Sequence, residues 1–198
     1  MSVRILLLKI VFTLTIAAFS GCSQMSAQAP SVPGDVVFGG GFETDPRDGG
    51  RPVALIAAAL NVESEVFRQA FSNVNPAKNG PPSHSRVQDN KKVLLAALSK
   101  HGVTNDRLDE VSNYYRYRPQ AGELWTHRPA KAKVVIKDGK VVGFEIVDAG
   151  SGYLTEPTIA VVGHPNVRAI AKIEFTKELK TNGRIVSIVV EKLSEPRD

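Results

Sequence analysis

The sequence predicts an α+β fold, with an N-terminal pair of short helical hairpins followed by a small antiparallel β-hairpin-repeat domain. Three observations predict it. Apolar residues follow helical spacing between residues 50 and 118, they alternate with a period of two between residues 130 and 193, and in each half the pattern recurs once.

Ahead of both halves, Arg4 and Lys9 flank an uncharged apolar run, Ile10 to Phe19, which ends in Ser20-Gly21-Cys22. This is the build of an export signal, and the run is shorter than the ~20 residues a membrane span requires. Residues 1–21 therefore read as a signal peptide. The segment Phe19-Ser20-Gly21-Cys22 resembles a bacterial lipobox, and the resemblance implies that Cys22 is diacylated and becomes the first residue of the mature chain. Cys22 is the single cysteine, so no disulfide framework is expected in an exported protein. Residues 22–49 read as a lipid-anchored tether, small, polar and proline-bearing, and then a glycine-rich loop with one short strand at Asp35 to Phe38. The expected location is the periplasmic face of the outer membrane or the cell surface, with the membrane as a partner through the lipid.

The formal charge of +5 includes Arg4 and Lys9, and the two halves, divided at Arg118, are each nearly balanced in acids and bases. No basic face is implied, which excludes nucleic acid as a partner. Asp45 and Asp48 before Gly49-Gly50 resemble part of a calcium loop. Their spacing is not D-x-D-x-D-G, and a turn leading into a helix explains them.

Pro52 suits the first turn of a helix that Asn61-Val62 interrupts, and Val62, Val66, Phe67 and Ala70 give the next helix one apolar face. The pattern recurs 41 residues later, where Gly102-Val103 takes the place of Asn61-Val62 and Leu108 and Val111 take those of Phe67 and Ala70. Gly102 suits the left-handed end of one helix, and Thr104 can accept a bond from a free amide of the next. Asp106, Asp109 and Glu110 then stand near that helix's positive end. Residues 50–118 form the predicted helical subdomain.

From Ala130 the period is two. Ala132, Val134 and Ile136 alternate with Lys131, Lys133 and Val135, and Asp138-Gly139 turns the chain into "KVVGFEIVD". After the loop "DAGSGYLTEPT" come the predicted strands "TIAVVG", "AIAKIEFTK" and "RIVSIVVEKL", the last after the turn signal Asn182-Gly183. Ala130, Ala132, Lys133, Val134 and Ile136 correspond to Ala169, Ala171, Lys172, Ile173 and Phe175, and "GKVVGFEI" corresponds to "GRIVSIVV". On that alignment the second copy has a turn five residues longer. Residues 130–193 are the β-repeat subdomain.

The run from Ala130 to Val162, with its Gly150-Ser151-Gly152-Tyr153, resembles the Gly-Ser-Gly-Tyr β-repeats of secreted, cell-surface and phage-tail proteins. The chain as a whole is similar to uncharacterised bacterial envelope lipoproteins of helical-then-β order. These resemblances imply location and architecture, and no reaction.

Chemistry-bearing motifs are few. Thr155 stands where a dinucleotide fingerprint needs its third glycine, and Ala149 and Tyr153 stand where a nucleophile elbow needs glycines around Ser151. His84, His101, His127 and His164 are scattered, which points to no metal site, and no cofactor is expected. Tyr114, Tyr117 and Trp125, with Ser151 and Tyr153 in the glycine loop, are the candidate ligand contacts. Flat rings with polar tips can stack on sugars, but their position at the junction of the two halves favours a seam where the last helix meets the sheet. The function expected is a non-enzymatic binding or structural module contacting envelope polysaccharide or an envelope protein. Two alternatives stand beside it. One is an envelope-polymer hydrolase whose site assembles only in the fold, from groups such as Asp106, Asp109, Glu110, His101 and His127. The other is a helical module that docks a protein partner.

Overall fold

The computed structural model describes residues 33–77 and 82–191. The predicted signal peptide, Cys22 and nearly all of the tether lie outside the described residues, as do residues 192 and 193 of the predicted last strand. Among the described residues the chain is mixed α+β, with four α-helices and three two-stranded antiparallel sheets. In order these are β1 (Val36–Gly39), α1 (Val53–Leu60), α2 (Ser64–Ser72), α3 (His84–Leu98) and α4 (Asn105–Tyr114). Then come β2 (Lys131–Lys137), β3 (Lys140–Asp148), β4 (Thr158–Val161), β5 (Ala169–Glu174) and β6 (Arg184–Val190).

The helices end where backbone chemistry stops them. Asn61 after α1 and Gly102 after α3 are both left-handed, with φ of 56° and 82°. Asn61 N–H donates to the Ala58 carbonyl and Val62 N–H to Ala57, both at 3.0 Å. In the second cap Gly102 N–H donates to Ser99 at 2.9 Å and Val103 N–H to Leu98 at 3.4 Å. Each residue of the second cap stands 41 positions after its counterpart, so the sequence repeat is also a repeat of cap geometry. The helices that follow bury Phe67 and Ala70 in one case and Leu108 and Val111 in the other. Thr104 Oγ1 accepts from Arg107 N–H at 3.2 Å, the cap its position predicted.

A Cβ added at Gly102 would meet no atom within 4 Å, so a substitution there tests backbone conformation alone. Gly102→Ala is expected to cost about 1–2 kcal/mol, the penalty of a left-handed L-residue, read as a lowered urea midpoint with an unchanged slope.

The β2–β3 hairpin closes on Asp138 and Gly139, whose φ values of 51° and 73° fit the two-residue turn expected of Asp-Gly. The second hairpin departs from the sequence alignment. β5 ends at Glu174, opposite Arg184, and the connection is residues 175–183. Ala171 faces Ile188, whereas the alignment places it opposite Val190, and Phe175 leaves the strand altogether. The second turn is therefore seven residues longer than the first, not five, because the ladder has slipped by two. Strand side chains alternate with a period of two, so this slip leaves every inward residue inward. Val142 and Val186, counterparts in the repeat, are each passed over at a bulge and exposed.

β1 and β4 pair across most of the chain, Val36 with Val161 and Gly39 with Thr158. The inner faces of the three sheets meet: Ile159 of β4, Ala171 of β5 and Ile185 of β6 pack with Ala130 and Tyr153, and Val36 and Phe38 of β1 and Phe144 and Ile146 of β3 lie against them. A second cluster joins α1 to α4 with Trp125, and Phe42 packs against both. All of these elements belong to one compact unit, Ser31–Asp198.

Candidate functional site

The aromatic residues singled out in the sequence converge where the helices meet the sheets. Trp125, in the segment between α4 and β2, is 2% exposed, and its Nε1–H donates to the Gly152 carbonyl at 2.9 Å. Tyr153 is also 2% exposed; its ring stacks on Phe42 at 5.2 Å, and its hydroxyl accepts from Ala130 N–H at 2.9 Å. Phe42 also meets Trp125 edge-on at 6.2 Å, and Tyr117 meets Trp125 at 5.7 Å. Ser151 is 5% exposed and exchanges backbone bonds with Arg128. Trp125, Ser151 and Tyr153 therefore turn their surfaces to the protein's own interior, which leaves them no face for a sugar ring.

Tyr114 and Tyr117 are half-buried. The Tyr117 hydroxyl donates to the Gly50 carbonyl, and Tyr114 stands edge-on to Tyr115 at 5.0 Å. Burial pushes the Tyr114, Tyr117 and Tyr153 hydroxyls up from their ordinary value, so all three stay neutral.

The acids and histidines offered for hydrolysis are dispersed. Asp109 pairs with Lys91 of α3 at 2.6 Å and Glu110 with Arg107 at 2.5 Å. His127 packs beside the Phe42 ring at 4.8 Å, and its Nδ1 lies 2.8 Å from the Trp125 carbonyl. His101 lines two clefts, and neither is lined by Asp106, Asp109, Glu110 or His127.

The built polar site lies elsewhere, on the turn before α1 and the adjoining face of α2. Asp48 is 5% exposed and is gripped by Arg68 through two bonds, Nε to Oδ1 at 2.6 Å and Nη2 to Oδ2 at 3.1 Å. Asp45 accepts from Arg47 Nη2 at 2.7 Å and Nε at 3.1 Å. The aspartates that resembled a calcium loop thus hold guanidinium groups with their oxygens. Arg51, two places before Val53, lies over the Phe71 ring with its guanidinium carbon 4.2 Å from the centroid. Two clefts of about 430 and 410 Å³ flank this cluster, and Asp48, Arg51 and Arg68 line both. Sequence reading missed it, because Asp48 and Arg68 stand 20 residues apart and their pairing depends on how α2 packs. The local signal was "DPRDGGRP", two arginines interleaved with two aspartates.

Hydrogen bonds from the Arg47 side chain, then from its backbone, hold the Asp45 carboxyl down at about 2. A depressed folded value means that the contact stabilises the turn at every pH above the ordinary aspartate pKa of about 4 and loses that contribution as pH falls through about 2. A carboxyl carbon titration by NMR is expected to give Asp45 a midpoint near 2, and Arg47→Ala should raise it only part of the way to the ordinary value of about 4, because the backbone N–H at that position still donates to the carboxylate.

Comparison with family models, with characterised proteins and with solved structures returns no match for this chain.

Proposed function

We propose that this chain is an exported, lipid-anchored envelope protein whose folded part is a non-enzymatic binding or structural module. The observation that carries the reading is the order of residues 1–34: charged start, apolar run, Ser20-Gly21-Cys22, then a proline-bearing polar segment. In this reading Cys22 carries the lipid, and residues 23–34 hold the module away from the membrane. The partner is an envelope polysaccharide or envelope protein, and of the four candidate aromatic contacts, Tyr114, Tyr117, Trp125 and Tyr153, the first two keep surface for it.

Internal duplication supports a scaffold built by repetition. The two left-handed helix caps, 41 residues apart, are consistent with a pair of helical hairpins. The two bulged ladders, β2–β3 and β5–β6, are consistent with Gly-Ser-Gly-Tyr β-repeats. Two of the three carboxylates that a hydrolase would recruit, Asp109 and Glu110, already serve ion pairs between or within helices.

Two measurements on the full-length chain in its native host test the reading. Labelling with a palmitate analogue should mark the wild type and leave Cys22→Ser unmarked, and mass spectrometry should find a diacylated cysteine at the mature start. An unmodified start downstream of Cys22 overturns the anchor. Crosslinking and recovery of the anchored protein should bring wall polymer or an envelope protein with it, and recovery of neither overturns the binding module.

One observation favours the docking of a protein partner by the helical part. Ala54, Ala58, Val62 and Val66 line a groove of about 810 Å³ opposite Phe175, the residue the register slip expels from β5. Val66→Asp should then remove a crosslinked protein while leaving crosslinked polysaccharide unchanged.

A further inference from the structure

Arg51 differs from the arginines on either side of it. Arg47 and Arg68 each have an aspartate; among the described residues no carboxylate pairs with Arg51. Its backbone is held by three bonds. Arg51 N–H donates to the Asp48 carbonyl at 3.2 Å, Val53 N–H donates to the Arg51 carbonyl at 2.9 Å, and the Tyr117 hydroxyl donates to Gly50 just before it. Its side chain is half-buried and laid flat on Phe71. A guanidinium fixed at both ends and free of acceptors is a preorganised fork, and it faces the 430 Å³ cleft, a volume within the range of small-ligand sites.

The rest of the cleft selects among anions. Asp45 offsets Arg47 and Asp48 offsets Arg68, so the guanidinium in the lining without a paired carboxylate is that of Arg51, whose single charge matches a monoanion. A phosphate dianion would exceed that charge and meet the Glu65 carboxylate. Val53, Phe71, Val74 and Pro76 supply apolar wall, and the Gln69 side chain carries the donor and acceptor that a peptide bond would satisfy.

We propose that this cleft binds the free C-terminal carboxylate of a short apolar peptide, with Arg51 as the fork that grips it. The proposal rests on the binding-module reading, and its test is separate. Crosslinked polymer or protein recovered with the anchored chain preserves that reading even if the peptide test fails.

The probe is N-acetyl-alanyl-alanine, titrated calorimetrically into the full-length chain in detergent micelles, with its C-terminal amide and inorganic phosphate as the comparison arms. The acid is expected to bind, and the amide to bind at least about ten-fold more weakly, because it lacks the charge that the fork recognises. Arg51→Met should weaken the acid by a similar factor, and Arg51→Lys should fall between, since lysine keeps the charge and loses the planar fork. The Arg51 Nε–H resonance should shift with the acid and not with the amide. The proposal is overturned if acid and amide bind alike, if the acid does not bind, if phosphate binds more tightly than the acid, or if Arg51→Met binds as the wild type does. Should Arg51→Met fail to fold, the acid-to-amide ratio on the wild type and the Arg51→Lys value decide the matter.

Discussion

Tyr153→Ala is expected to lower the unfolding free energy by about 4 kcal/mol, the range found when a large buried aromatic residue is truncated. The ring is stacked on Phe42 and closed in by backbone that only glycine permits to come so near. A Cβ at Gly41 would lie 2.6 Å from the Tyr153 ring, and one at Gly183 would lie 2.5 Å from the Tyr153 carbonyl oxygen. Truncation thus opens a cavity walled in part by main chain at Gly41 and Gly150, which cannot collapse by side-chain rotation. Tyr153→Phe keeps the ring and orphans only the buried Ala130 N–H, so its cost should be about 1–2 kcal/mol. Urea unfolding of the two variants checks both values. Equal costs would mean that the hydroxyl, not the packed ring, carries the residue's contribution.

Tyr153 also shows where sequence reading reached its limit. Gly150, Gly152 and Tyr153 were legible as a loop signature because the angles a tight connection needs are a local property. Local too were the Asp138-Gly139 turn, the Thr104 cap, the helix break at Asn61 and the left-handed Gly102, each decided by a few neighbouring residues. The glycines that approach Tyr153 most closely, Gly41 and Gly183, stand far from it in the chain, and nothing in either neighbourhood names it as a partner. The β1–β4 ladder was hidden for the same reason: two four-residue strands find each other through a shared core, and neither strand's pattern specifies which edge it joins. The register slip of β5 was illegible in a different way. A shift of two residues preserves the apolar alternation, so the pattern that identified the strand could not fix its partner. At the candidate sites the aromatic cluster was legible as a seam from its place at the junction, and which of its rings are fully enclosed was not. The Arg51 cleft was missed because its character lies in which arginine lacks an acid, and pairing follows from helix packing.

The second large effect is expected at Asn182, and it reverses the meaning of a sequence signal. Asn182-Gly183 reads as a turn, and the pair does end the connection between β5 and β6, but the asparagine side chain points inward and is 0% exposed. Its Nδ2 donates to the Leu55 carbonyl of α1 at 2.8 Å and to the Tyr115 hydroxyl at 2.9 Å, and its Oδ1 accepts from Thr176 N–H at 3.0 Å. One amide therefore ties α1, the end of α4 and the β5–β6 connection together, and two donors beside an acceptor are what the amide supplies. Asn182→Ala leaves these partners without it in a dry interior. At about 1–3 kcal/mol for a buried group left unpaired, and with the losses less than additive, the expected cost is about 4 kcal/mol. Tyr115→Phe removes one of the partners and should cost about 1 kcal/mol alone. In the Asn182→Ala background the same change should cost nearly nothing, because the bond it deletes is already gone, giving a coupling of about 1 kcal/mol in a double-mutant cycle. Additive costs would show that Tyr115 and Asn182 act independently and that the amide acts through its bonds to Leu55 and Thr176. Coupling would identify Asn182 as the polar joint between helical and β layers, selected for its side chain at a position where sequence alone sees a turn.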